Sequence, residues 1–215
     1  MGEDMRETAV LQRVKQGYTT GARTLASRSI VGLARTRITP NALTTAGVSL
    51  CLAAAVIVYF EYHNKLLFYW LGAFVFVVGS ILDILDGALA RAGGKTTPFG
   101  SFLDSTTDRV GEGAMLGAIA LIFARHGNEV ALGATIAAIA GSFLVSYTRA
   151  KAEALGLRGD VGLGSRAERV VVITAGLVLA PWGVLPWAIY LLTATAWLTV
   201  LQRILFVRKQ LAERK

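Results

Sequence analysis

Cysteine is nearly absent from this chain: among 215 residues there is one, Cys51. A lone cysteine closes no intrachain disulfide, so the redox compartment cannot be read from it. Set in an apolar run, it reads as a small packing residue rather than a nucleophile. Histidine is scarce too, with only His63 and His126. Charge is thin: 17% of residues are Asp, Glu, Lys or Arg, where a soluble domain carries about a quarter. Residues 1–40 lack the apolar stretch and small-residue cleavage site of a secretory signal. No internal repeat, low-complexity tract or soluble domain is evident.

Apolar residues fill the space. They make up 54% of the chain, and the mean hydropathy is +0.54. A membrane-spanning helix needs about 20 mostly apolar residues. Six such stretches are predicted, at roughly 41–61, 66–91, 100–124, 129–152, 167–183 and 186–207. Thr39 and Pro40 suit the start of the first. Gly93, Gly94 and Pro98 end the second, and Gly127-Asn128 separates the third from the fourth. Trp182 and Trp187 flank a short uncharged turn as interface anchors. The expected fold is an all-α integral membrane protein. Residues 1–40 form a juxtamembrane segment and residues 41–215 a transmembrane domain.

In the N-terminal segment Val10, Val14, Tyr18, Ala22 and Leu25 recur at spacings of three and four, with Lys15, Arg23 and Arg28 beside them. This reads as an amphipathic helix lying on an anionic membrane surface. The competing reading is a soluble helix packed on a partner.

The formal net charge of +8 does not point to nucleic acid, because the basic residues are sorted by membrane side. Residues 1–40 hold seven Lys or Arg. Lys95, Arg158, Arg166, Arg208, Lys209, Arg214 and Lys215 fall on the same side, and Lys65 and Arg125 on the other. The asymmetry predicts a multi-pass protein of the cell membrane with both termini in the cytoplasm.

Within this apolar background the second and third spans carry Asp83, Asp86, Asp104 and Asp108. Ionisable groups inside spans are expensive and mark function by default. Spacings of three and four put each pair on one helix face. The short connection makes the two helices antiparallel neighbours, so the pairs can face each other near the cytoplasmic end. Four close carboxylates cannot all stay ionised without a cation. Oxygen ligands suit Mg²⁺ or Mn²⁺, and two ions could clamp a phosphate while activating an attacking oxygen. The competing reading has Arg91 and Arg109 neutralise the carboxylates. No Ser, Cys or His is placed as a covalent nucleophile, which favours direct displacement. A divalent-cation transporter is the alternative from a different class.

The spacing Asp83-x2-Asp86-Gly87-x2-Ala90-Arg91-x8-Gly100-x3-Asp104-x3-Asp108 resembles, without a gap, the signature of the CDP-alcohol phosphotransferase family. The resemblance implies transfer of a phosphate-linked group from a CDP-alcohol to a hydroxyl, with release of CMP. It implies that Asp83, Asp86 and Asp104 hold the metals and that Asp108 is the general base and also a ligand. Pro40, Asn41, Asp83, Gly87, Ala90, Arg91 and Gly100 are implied as nucleotide contacts, and a homodimer as the assembly. Glu112 continues the Asp104–Asp108 face one turn deeper and is expected to make a buried hydrogen bond.

Later in the chain, Arg149 ends the fourth span, Arg169 opens the fifth and Arg203 lies within the sixth. Arginine forks suit phosphate. This block is similar to the inositol-phosphate-accepting branch of the same family. The resemblance implies that these three arginines grip the acceptor phosphate, with CDP-diacylglycerol as donor and inositol phosphate as acceptor. Glycerol phosphate is the nearest alternative acceptor, and an ether-lipid CDP-alcohol the alternative donor. Flanking positive charge accounts for Lys151, Arg158 and Arg166.

Overall fold

The computed structural model describes residues 39–92, 94, 96–162 and 165–213. The predicted N-terminal amphipathic helix lies outside the described residues. Those residues form six α-helices and no strand: α1 (Pro40–Tyr59), α2 (Lys65–Ala92), α3 (Pro98–Arg125), α4 (Glu129–Ala154), α5 (Arg166–Val178) and α6 (Leu185–Glu213). A 3₁₀ turn, Ala180–Trp182, joins the last two.

The helix starts follow local chemistry. Thr39 caps α1 by accepting from the Ala42 amide, and Pro40 takes the first turn, where no amide donor is needed. Thr97 and Pro98 repeat the device for α3, and the Asn128 side chain caps α4. Helix α5 opens with a capping box in which Ser165 and Glu168 satisfy each other's backbone amides.

The fifth predicted span ran to residue 183, yet α5 stops at Val178. Pro181 lacks an amide to extend the helix, and the chain tightens into the 3₁₀ turn closed by Gly183 at φ 78°. Thirteen residues rise about 20 Å, less than the roughly 30 Å of a bilayer core. Helices α1, α2, α4 and α6 are long and apolar enough to cross a membrane. Helix α3 is long enough but carries Asp104, Asp108, Arg109 and Glu112.

The bundle is built from small-residue crossings. A Cβ on Gly79 would lie 2.8 Å from the Gly47 carbonyl oxygen and 2.9 Å from Cys51 Sγ, so α1 and α2 approach backbone to backbone. A Cβ on Gly111 of α3 would stand 3.0 Å from Cys51 Cβ. Cys51 thus fills the junction of three helices, as expected. Helix α1 packs on both α2 and α3, which touch each other only sparingly. The two aspartate helices are therefore held together through α1, rather than as the close neighbours their short connection suggested. Helix α6 packs on α4 and α5, and α5 returns to α2. Phe76, Met115, Leu116, Ile119, Ile173, Leu177, Ile189 and Leu192 form the buried core. Large apolar side chains such as Leu52, Phe74, Ile84, Leu121, Ile136 and Leu198 are exposed on the outer surface. That belt suits lipid, since soluble monomers rarely expose apolar patches so large.

Candidate active site

At one end of the bundle, Asp83, Asp104 and Asp108 each bring a carboxylate oxygen within 4.8 Å of the others. Asp86 stands outside this group. Its Oδ2 accepts a hydrogen bond from the Thr44 hydroxyl of α1, and its buried Oδ1 has no hydrogen-bond partner. An unpartnered buried carboxylate oxygen beside three convergent ones is a donor set that fits a divalent cation.

Two cavities flank these carboxylates. The first, about 300 Å³, is lined by Pro40, Asn41, Thr44, Asp86, Gly87, Ala90, Arg91, Thr96, Thr97, Gly100, Ser101 and Asp104. Every expected nucleotide contact lies here except Asp83, which faces Arg166 instead. A Cβ on Gly100 would stand 3.0 Å from Thr97 Oγ1 and 3.8 Å from Asn41 Oδ1, so the missing side chain keeps this wall open.

The second cavity, about 450 Å³, is polar and gathers Asp108, Arg149, Arg169 and Arg203 with Ser105, Arg109, Glu112, Ser146, Asp160 and Arg166. Ser101 and the Asp104–Asp108 face of α3 connect the two cavities. The three expected arginines thus come from α4, α5 and α6 to one chamber, each with a protein partner. Arg149 Nε donates to Glu153 at 2.9 Å. Arg169 forms a two-pronged pair with Glu112, at 2.7 and 2.8 Å. Arg203 Nε donates to the Val161 carbonyl at 2.9 Å, and its Nη1 to the Val145 carbonyl. At the rim the Arg158 side chain bonds Asp160 and holds that carboxyl below its ordinary range. Gly162 closes the wall at φ 116°, where a Cβ would collide with Thr199 Cγ2.

Arg166 departs from expectation. Flanking charge does not describe it, because its Nη1 contacts Asp83 Oδ2 and lies 2.7 Å from Asp108 Oδ1. The signal was present in the sequence: Arg166 and Arg169 are three apart at a helix start, hence on one face. The predicted neutralising pair fares differently. Arg109 lies 3.7 Å from Asp108 and donates to the Ser105 carbonyl, while Arg91 lines the smaller cavity. The expected buried hydrogen bond of Glu112 is the Arg169 pair.

A helical bundle that gathers three aspartates between a polar, arginine-rich cavity and a second cavity suits a class of membrane enzymes acting on charged, phosphate-bearing substrates. Residues 37–204 match the model of the CDP-alcohol phosphatidyltransferase family, and the chain belongs to that family. It is 37% identical over 180 residues to an archaetidylinositol phosphate synthase of Pyrococcus horikoshii, covering 83% of this chain and 88% of that protein. It is 36% identical over 192 residues to a phosphatidylinositol phosphate synthase of Streptomyces avermitilis, covering 84% and 77%. The phosphatidylinositol phosphate synthase of Mycobacterium tuberculosis with CDP-DAG bound superposes with a TM-score of 0.75 at 30% identity, covering 86% of this chain and 94% of that one. The same enzyme in complex with manganese and citrate gives 0.75 at 32% identity, covering 85% and 88%.

Proposed function

We propose that this protein transfers the phosphatidyl group of CDP-diacylglycerol to myo-inositol phosphate, releasing CMP. The observation that carries the reading is the chamber where Asp108 meets Arg149, Arg169 and Arg203. Five guanidiniums against four carboxylates line this chamber, a basic balance that suits an anionic acceptor better than a free alcohol. The smaller cavity takes the cytidine diphosphate, with Pro40, Asn41, Gly87, Ala90, Arg91 and Gly100 as contacts. An apolar groove of about 800 Å³ between α2 and α5, lined by Val77, Ile81, Ile84, Val170, Val171 and Val178, begins at Arg166 and suits an acyl chain.

In this reading Asp83, Asp86, Asp104 and Asp108 hold two Mg²⁺ or Mn²⁺ ions. When bound, these ions offset charge building on the diphosphate and bridging oxygen. Arg149, Arg169 and Arg203 fix the phosphate of the acceptor so that its hydroxyl turns towards α3. Asp108 accepts the hydroxyl proton as the oxygen attacks the β-phosphorus. The bond to the CMP oxygen breaks, and CMP leaves through the smaller cavity. The positive-inside asymmetry supports a cytoplasmic position for this end and both termini; α3, and α5 together with the 3₁₀ turn after it, then complete six membrane segments, and the family resemblance implies a surface N-terminal segment and a homodimer.

The relatives include both diacyl and archaetidyl enzymes, so the donor's lipid is the second variable. Purified protein is given CDP-diacylglycerol or its ether-lipid counterpart with inositol phosphate, glycerol phosphate or free inositol, and CMP is measured. The reading requires inositol phosphate to be the preferred acceptor. Equal use of glycerol phosphate would leave only the family-level reaction.

A further inference from the structure

Arg166 makes a contact that the proposed reaction does not explain. It is the first residue of α5, and the capping box between Ser165 and Glu168 fixes its backbone. Its side chain crosses to α2 and α3, where a single nitrogen, Nη1, meets Asp83 Oδ2 and Asp108 Oδ1. These oxygens belong to two of the three residues whose carboxylates converge. A divalent ion such as Mg²⁺ sits about 2.0–2.1 Å from each oxygen it binds. An ion bound by these two oxygens would compete with the guanidinium for them. The guanidinium and the ion therefore exclude one another at the same oxygens.

We propose that Arg166 is a built-in counter-cation: it holds the metal-free carboxylates and is displaced into the polar cavity when a divalent ion arrives. Two features of its surroundings give it a destination. Arg166 lines both the polar cavity and the apolar groove. The groove offers no anion, whereas the cavity takes, on the reading above, an anionic acceptor; Glu153 and Asp160 there are already bonded to Arg149 and Arg158. With its backbone fixed, only the side chain must swing. Displacement would free the Arg166 guanidinium to face the acceptor beside Arg149, Arg169 and Arg203 only when metal is present. Metal and acceptor binding are then coupled, and the coupling is reciprocal. Without metal, the ion pair offsets the charge of two of the four carboxylates, Asp83 and Asp108.

The proposal rests on the metal assignment above and is tested by binding rather than turnover. Mn²⁺ affinity of the purified full-length protein is measured by electron paramagnetic resonance without substrate, for wild type, Arg166→Gln and Arg166→Lys. Removing a charge-assisted competitor should tighten Mn²⁺ binding about tenfold in Arg166→Gln. Arg166→Lys should fall between the two. The metal-free Arg166→Gln protein should melt below wild type, and Mn²⁺ should raise its Tm by more. Mn²⁺ affinity equal to or weaker than wild type in Arg166→Gln overturns the proposal and leaves the metal site standing. If Arg166→Gln does not fold, weaker Mn²⁺ binding in Arg166→Lys than in wild type overturns it. Absence of Mn²⁺ binding in wild type overturns the metal assignment and this proposal together.

Discussion

Asp108 occupies the position where the two cavities meet, beside Asp83 and Asp104 and facing the arginine chamber. As a base it matters most in the transition state. Asp108→Asn should therefore cut turnover more than affinity for the CDP donor. Equal losses in both, by steady-state kinetics and donor titration, would recast it as chiefly a ligand. Asp104→Asn should abolish transfer while leaving a folded, extractable protein, because Asp104 makes no ion pair among the described residues; activity surviving in EDTA would contradict the metal assignment. Arg203 is 7% exposed and bonds two backbone carbonyls from α4 and the loop after it. Arg203→Ala should raise the Michaelis constant for inositol phosphate by an amount worth roughly 1.5–3 kcal/mol. The constant for CDP-diacylglycerol should barely move, and some thermal stability should be lost with the carbonyl bonds.

At the scale of the element, α5 does the most with the fewest residues. Its first turn carries Arg166 to the aspartates and Arg169 to Glu112, while its later residues wall the apolar groove. The Glu112–Arg169 pair ties α3 to α5 across the floor of the chamber, with both side chains buried. Glu112→Ala leaves a buried guanidinium without its partner, a change of about 3–5 kcal/mol. The expected result is a markedly lower Tm and weakened inositol phosphate binding, with Glu112→Asp restoring part of both. A Tm close to wild type would show that Arg169 finds another anion. The crossing of α1 on α2 at Gly47 and Gly79 has a matching role on the other side. It brings Thr44 to Asp86 and keeps the smaller cavity between α1, α2 and α3.

The whole molecule has two polar ends and an apolar waist. The end opposite the aspartates is pinned by a fully buried Glu61, which meets His126 at 2.9 Å and Arg125 at 3.5 Å. The Arg125 guanidinium also lies over the Tyr59 and Tyr62 rings, at 4.4 and 4.5 Å. This cluster fastens the α1–α2 turn to the end of α3. Cys51 is buried, so introduced cysteines report orientation cleanly. In sealed, right-side-out vesicles a membrane-impermeant thiol reagent should label Lys65→Cys and spare Lys209→Cys until the membrane is opened. The reverse pattern would invert the proposed topology.

Much was legible in the sequence because the bilayer leaves few options. Spanning backbone must satisfy its own hydrogen bonds, so long apolar runs become helices. Thr39-Pro40 and Thr97-Pro98 mark helix starts by local chemistry alone. Asp83, Asp86, Asp104 and Asp108 stand out because charge is so rare in such segments. The aspartate spacing also carried the family resemblance. Other features depended on which faces meet. The early stop of α5 was missed because apolar composition continues past Val178 while Pro181 removes an amide. The mediation of α2 and α3 by α1 follows from glycine crossings that a one-dimensional pattern does not pair. The partner of Glu112 is 57 residues away, and that of Asp83 is 83 away. The three-residue spacing of Arg166 and Arg169 puts both on one helix face, but nothing local says which carboxylate each of them meets. Composition and spacing determined that this chain is a helical membrane protein with an acidic centre. Only the packing of α5 against α2 and α3 decided which arginine meets which carboxylate, because an ion pair is set by distance in space and the sequence orders distance along the chain.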